Sequence, residues 1–232
     1  MAVNIPDKRV NLVSAERLSG HPYSGGYDSF TIANRIHACS PDSKIIIVVR
    51  NQLDMIRSIY KQLVKQGYLG EFKDLVKGES WKGTSFKPDF LKYDLIVGKY
   101  YELFGSDQVM VATYESILSD NHRFISALNK FLGVDEFQLD RSEEKFNVSL
   151  PDHEIAAYRI ANKFKTSEMN PFPAFVLGER RFKLLHRSLC WYFKMKEPRL
   201  FEDNILRELA DYYQQSNLNL GQLIRDPLTG YP

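Results

Sequence analysis

Lys44-Ile-Ile-Ile-Val-Val-Arg50 holds five consecutive β-branched residues between two cations. A continuous apolar run of this kind is the pattern of a strand buried in a parallel sheet rather than one with a wet face. The residues after it change period: Ile56, Tyr60, Leu63 and Val64 recur at helical spacing, and Gly67 stands where that helix should stop. Arg50 is therefore expected at a strand-to-helix junction. Ligands of open α/β sheets bind outside the carboxyl ends of the strands. Ser58 follows Arg50 about two helical turns on. A guanidinium fork and a hydroxyl donor in that place suit a phosphate.

The 232 residues, 44% hydrophobic and 26% charged, support one domain over 1–232 with a sizeable core. A formal charge of +2 is too mild for a nucleic-acid binder, which concentrates positive charge in a patch or stripe, so no nucleic-acid partner is expected. Cys39 and Cys190 have no ligand-like spacing and make no disulfide framework, which fits a reducing compartment. The first residues carry no apolar core of a signal peptide, and no run reaches the length of a membrane span. The expectation is a soluble, cytoplasmic protein.

Along the chain, Val10–Ser14 reads as a short strand, the glycines near His21 as a loop, and Phe30, Ala33 and Ile36 as a short helix. Residues 68–88, with Gly70, Gly78, Gly83 and Pro88, read as a lid or acceptor loop. A helix from about Asp89 to Phe104 ends at Gly105, and Val109–Thr113 is a second buried strand. Phe124, Leu128, Phe131 and Leu132 mark a helix with Ser119 or Asp120 to cap it and Gly133 to close it. The second half reads as mostly helical: after Pro151, from about Gly178 to Phe193, and along Ile205, Leu209, Tyr212 and Tyr213. Strand and helix in alternation argue an α/β fold, with a parallel sheet flanked by helices on both faces.

Four segments, taken in order, resemble the sulfotransferases that use 3′-phosphoadenosine-5′-phosphosulfate (PAPS). Ser14-Ala-Glu16-Arg-Leu-Ser-Gly20 is similar to the segment bearing the catalytic acid in bacterial and carbohydrate sulfotransferases. Lys44 to Tyr60 resembles the 3′-phosphate motif, an arginine at a strand end and a serine eight positions later. Phe104-Gly105 through Tyr114-Glu115 and Lys130–Gly133 resemble the stretch around the third core strand, and Asn147–Ser149 with Gly230-Tyr-Pro232 resemble the tail of bacterial members. The resemblance implies a P-loop nucleotide-kinase-like fold. It also implies sulfuryl transfer from PAPS to a hydroxyl of a saccharide or other small acceptor, without an obligatory metal. Glu16 would be the general base, with His21 as runner-up, and Arg50 and Ser58 would hold the donor's 3′-phosphate. Arg17 would line the same cleft, with no role assigned to it.

One family feature has no counterpart here. Members open with a strand and a Lys-Thr-Gly-Thr-Thr-like loop that cradles the 5′-phosphosulfate, and no such loop lies upstream of Glu16. The chain reads as an N-terminally shortened form or as a degenerate member. Two rival readings follow: a non-catalytic nucleotide-binding protein that needs the missing segment or a partner chain, and a P-loop nucleotide kinase, which the absence of a Gly-Lys-Ser/Thr loop disfavours.

Each site residue also has an ordinary alternative. Glu16 reads as a surface carboxylate, Arg50 as the ion-pair partner of Asp54, Ser58 as a solvated or back-bonded helix serine, and His21 as a turn residue. Lys77-Gly-Glu-Ser-Trp-Lys-Gly83 resembles a donor-binding element of cytosolic members but precedes the second strand, so it is read as coincidence or an acceptor loop. Between Gly178 and Leu200, seven Lys and Arg face two Glu. Such a run is ordinarily a solvated helix face; as a functional one it would attract an anionic glycan or the headgroups of a membrane surface.

Overall fold

The computed structural model describes residues 10–21, 25–78, 86–135, 149–173, 175–225, 228 and 230–232. Most of the Lys77–Gly83 element, and Asn147, lie outside them. Two strands, β1 (Ile45–Val49) and β2 (Val109–Thr113), pair in parallel, with Ile45 opposite Val109 and Val49 opposite Thr113. Parallel neighbours need a crossover. Here it runs through α2 (Gln52–Lys65), α3 (Phe72–Lys77) and α4 (Tyr93–Phe104).

The sheet is covered less fully than its apolar sequence implies. Alternate residues Ile45, Ile47 and Val49 pack with Val109 and Val111 against α4, α1 (Ser29–Cys39) and α9 (Asp203–Ile224). Val48, on the other face, is 50% exposed. The expected strand at Val10–Ser14 does not form, and Val10, Leu12 and Val13 are exposed. A strand requires a neighbour for its backbone groups, and none of the described residues pairs with this segment. A 3₁₀ turn, Glu16–Ser19, follows instead.

The main core is helical. Ile56, Ile59, Tyr60, Leu63 and Val64 of α2 meet Phe72 and Leu75 of α3, Ile155 of α7 (Asp152–Ala161), and Ile205, Leu209 and Tyr213 of α9. Phe72 stands edge-on to Tyr60 and Phe201, at 5.6 and 5.0 Å between ring centres, the arrangement favoured by aromatic quadrupoles. The expected loop at 68–88 is thus partly core. Glu71 and Asp74 form a capping box that starts α3, and Phe72, Leu75 and Phe86 are buried.

After β2 the chain enters α5 (Tyr114–Ser119), which the sequence reading did not foresee, and α6 (Asn121–Leu132). Asp120 caps α6, its carboxylate accepting the Arg123 N–H at 2.9 Å, and Gly133 closes it at φ 74°. α8 (Glu179–Lys196) lies against α7. No helix among the described residues is long and apolar enough to cross a membrane.

Candidate active site

Parallel pairing brings the carboxyl ends of β1 and β2 side by side, so the residues that leave the two strands become neighbours. Arg50 leaves β1 and Tyr114 leaves β2. The half-buried guanidinium lies over the Tyr114 ring, 5.0 Å from its centre, a cation–π contact.

Asn51 then starts α2. Its side-chain oxygen accepts the N–H groups of Leu53 and Asp54, at 3.0 and 3.4 Å, filling the N-cap role. Its backbone N–H donates to Glu115 Oε1 at 3.0 Å, and its amide nitrogen donates to the Gly230 carbonyl at 2.7 Å. Glu115 Oε2 accepts the Tyr231 hydroxyl at 2.8 Å. One carboxylate thus joins the start of α2, the exit of β2 and the C-terminal segment.

A second tie lies one residue deeper. Gln52 and Asn217, both buried, bond through their amides at 2.5 and 3.3 Å, and Asn217 also donates to the Pro232 carbonyl at 2.8 Å. Burial pushes the Tyr231 and Tyr93 hydroxyls far above the usual phenol range. The Tyr231 bond to Glu115 pushes further the same way, whereas a hydrogen bond that the Tyr93 oxygen accepts from the Arg50 backbone pulls Tyr93 back.

The consequence for Arg50 is electrostatic. Both oxygens of Glu115 are taken by neutral donors, and no ion pair among the described residues includes Arg50. Asp54, the alternative partner, pairs instead with Arg57 at 3.0 Å. Among the described residues the Arg50 guanidinium therefore has the Tyr114 ring, and no carboxylate, as its side-chain partner.

Ser58 lies on the exposed side of α2, about 10 Å along the axis from Asn51. The buried stripe of the helix is Gln52, Ile56, Ile59, Tyr60, Leu63 and Val64, which leaves Ser58 facing out. Its hydroxyl is not back-bonded within the helix, and Arg50 and Ser58 share the strand–helix unit that the spacing predicts.

Glu16 opens the 3₁₀ turn, but its side chain lies outside the described residues. The turn is fastened by Ser29 Oγ, donating to Ser19 O at 2.8 Å, and by the Tyr100 hydroxyl, donating to Leu18 O at 3.4 Å. His21 stands before the turn at 25–28, its N–H reaching Asp28 Oδ1 at 3.3 Å and its carbonyl accepting the Gly26 N–H at 3.1 Å. Sequence reasoning assigned no site role to Asn51, Tyr93, Tyr114, Glu115 or Tyr231. The available signal was the second strand end: the rule that selects Arg50 after β1 selects Tyr114 and Glu115 after β2.

The sequence model of the sulfotransferase domain family matches residues 34–169, more than half of the chain. That stretch contains Arg50, Ser58, Tyr114 and Glu115; Glu16 and Tyr231 lie outside it. No curated protein sequence matches. Among solved structures, the fold is similar to the sulfotransferase from Alicyclobacillus acidocaldarius, with a TM-score of 0.55 and 20% identity over 87% of this chain and 62% of that one. The chain therefore spans less than two thirds of that relative's length. With a strand–helix unit bearing Arg50 inside the matched residues, this chain belongs to the sulfotransferase domain family.

Proposed function

We infer that the chain serves sulfuryl transfer from PAPS to a hydroxyl of a saccharide or other small acceptor. The observation that supports this most is the Arg50 guanidinium at the end of β1 with no carboxylate paired to it among the described residues. Arg50 and the unbonded hydroxyl of Ser58 fit a phosphate monoester: one supplies two parallel N–H donors, the other one directional O–H. The cofactor brings the activated sulfuryl group. Arg50 and Ser58 hold its 3′-phosphate and so separate it from ATP, which lacks that group.

Glu16 takes the proton of the acceptor hydroxyl as that oxygen bonds to sulfur and the bond from sulfur to the 5′-phosphate oxygen breaks, releasing 3′,5′-bisphosphoadenosine; this role is worth about 10²- to 10⁴-fold in rate. No Lys-Thr-Gly-Thr-Thr-like loop lies upstream of Glu16 in the sequence, so the phosphosulfate end is not assigned to residues here. That observation favours a second reading, in which the chain binds the nucleotide but transfers sulfate only when another segment or chain completes it.

Calorimetric titration with 3′,5′-bisphosphoadenosine and transfer of radiolabelled sulfate from PAPS distinguish the two. Binding weakened at least about 10-fold by Arg50→Ala supports the donor site; unchanged affinity rejects it. Transfer by the purified chain supports the enzyme, whereas binding without transfer selects the second reading. Stabilisation by ATP but not by the bisphosphate would instead favour the nucleotide-kinase reading.

A further inference from the structure

α8 is an 18-residue helix without a single buried residue. Its inner side, Phe182, Leu185, His186, Leu189 and Phe193, is half-buried, with His186 packed 3.9 Å from the Tyr158 ring of α7. The outer side should then be polar throughout, and it is not. Leu184, Trp191 and Met195 are 60%, 71% and 73% exposed. Their spacing of seven and four residues places them on one stripe of the helix.

Arg180, Arg187 and Lys194, spaced by seven, run along one flank of that stripe, and Arg181 and the half-exposed Tyr192 lie along the other. The segment 178–200 holds seven Lys and Arg against two Glu, in a chain whose formal charge is +2. The rest of the molecule is therefore net acidic, and the positive charge is concentrated beside this stripe. Glu179 is already paired with Lys183 at 2.7 Å, on the far side of the Arg180 row. The loop leading into α8 adds Phe172, which is almost fully exposed.

An apolar stripe walled by cations selects its partner by charge. A second copy of this chain would set one row of arginines against another, which is repulsive. An anionic surface with an apolar interior answers both features at once. Trp and Tyr suit that boundary, with an apolar body and a polar edge.

We propose that α8 is an interfacial helix that seats the protein on an anionic lipid surface. Leu184, Trp191 and Met195 enter the boundary between headgroups and acyl chains, while Arg180, Arg187 and Lys194 meet the headgroup charges. This seat is independent of the sulfuryl-transfer reading.

The test uses the full chain carrying Trp81→Phe, so that Trp191 is the sole indole. It is sedimented with vesicles of phosphatidylcholine alone and of phosphatidylcholine mixed with phosphatidylserine. Binding to the mixed vesicles only, a blue shift of Trp191 emission and weakening by salt are expected. Reversing Arg180, Arg187 and Lys194 to Glu should cut binding by about 10²-fold or more. The Leu184→Ser/Trp191→Ser/Met195→Ser variant should abolish it with an unchanged far-ultraviolet spectrum, since all three side chains are exposed. No binding to the mixed vesicles overturns the proposal, as does binding that survives the serine variant, which would mark plain anion attraction. A dimer in sedimentation equilibrium that the serine variant dissociates also overturns it, by assigning the stripe to a second copy.

Discussion

Tyr231 donates its hydroxyl to Glu115 Oε2 at 2.8 Å, across 116 positions of sequence, while the other oxygen of the same carboxylate holds the Asn51 N–H that opens α2. The C-terminal segment is thus part of the frame that aims Arg50. Tyr231→Phe leaves a charged oxygen short of a donor in a half-buried setting. The expected cost is about 1–3 kcal/mol in urea unfolding, and Glu115→Gln should cost a similar amount. Equal stability of wild type and Tyr231→Phe would show that the tail is not fastened through this bond.

Gln52 and Asn217 bond each other in the interior, at 0% and 6% exposure. Gln52→Leu alone strands the Asn217 side-chain oxygen, while the amide nitrogen keeps its bond to the Pro232 carbonyl, and should destabilise by about 1–3 kcal/mol. Adding Asn217→Leu removes the stranded partner, so the double variant should lose less than the two single losses together. Simple additivity in denaturant titrations would mean that the pair is not coupled.

Gly67 adopts φ 112° after α2, and a Cβ there would lie 2.1 Å from Ser167 Oγ. Neither the backbone nor the space admits alanine. Gly67→Ala should cost at least about 1–2 kcal/mol, seen as a lowered melting temperature. Ser167→Gly in the same chain should relieve only the steric part and leave the backbone strain.

Alkaline pH should unfold the protein through its buried phenols. Burial raises Tyr60 to about 12, with Arg159 opposing, and raises Tyr213 further still. Between the ordinary phenol range and the folded value, the unfolded chain has released the proton and the folded one has kept it, so stability falls as pH rises. The contribution is complete below about pH 10 and is lost above it, at about 1.4 kcal/mol per pH unit for each such tyrosine. A spectrophotometric titration should show these phenols ionising together with loss of helical circular dichroism. Ionisation of every tyrosine near pH 10 with the fold intact would contradict their burial.

Local signals were legible wherever the chain itself satisfies them. α6 has its cap at Asp120 and its stop at Gly133, both visible as residue types at fixed places. Arg50 was legible for the same reason, because a change of period marks the strand–helix junction within one segment. Val10–Ser14 misled because a short apolar stretch becomes a strand only when another strand answers it. The rim around Arg50 was hidden by sequence distance: Asn51 meets Glu115 64 positions away and Gly230 179 positions away. Only the parallel pairing of β1 with β2 and the packing of α9 convert those separations into contacts.

The half-open β1 has a bearing on handling. Ile45–Val49 combines β-branched bulk with an unpaired edge among the described residues, which is the signature of a steric-zipper segment prone to amyloid stacking. Lys44 and Arg50 bracket that run as gatekeeper charges. Removing the guanidinium at position 50 therefore removes one of the two brakes on aggregation, and Arg50→Lys, which keeps the charge but not the planar fork, is the matched control for any loss of nucleotide binding.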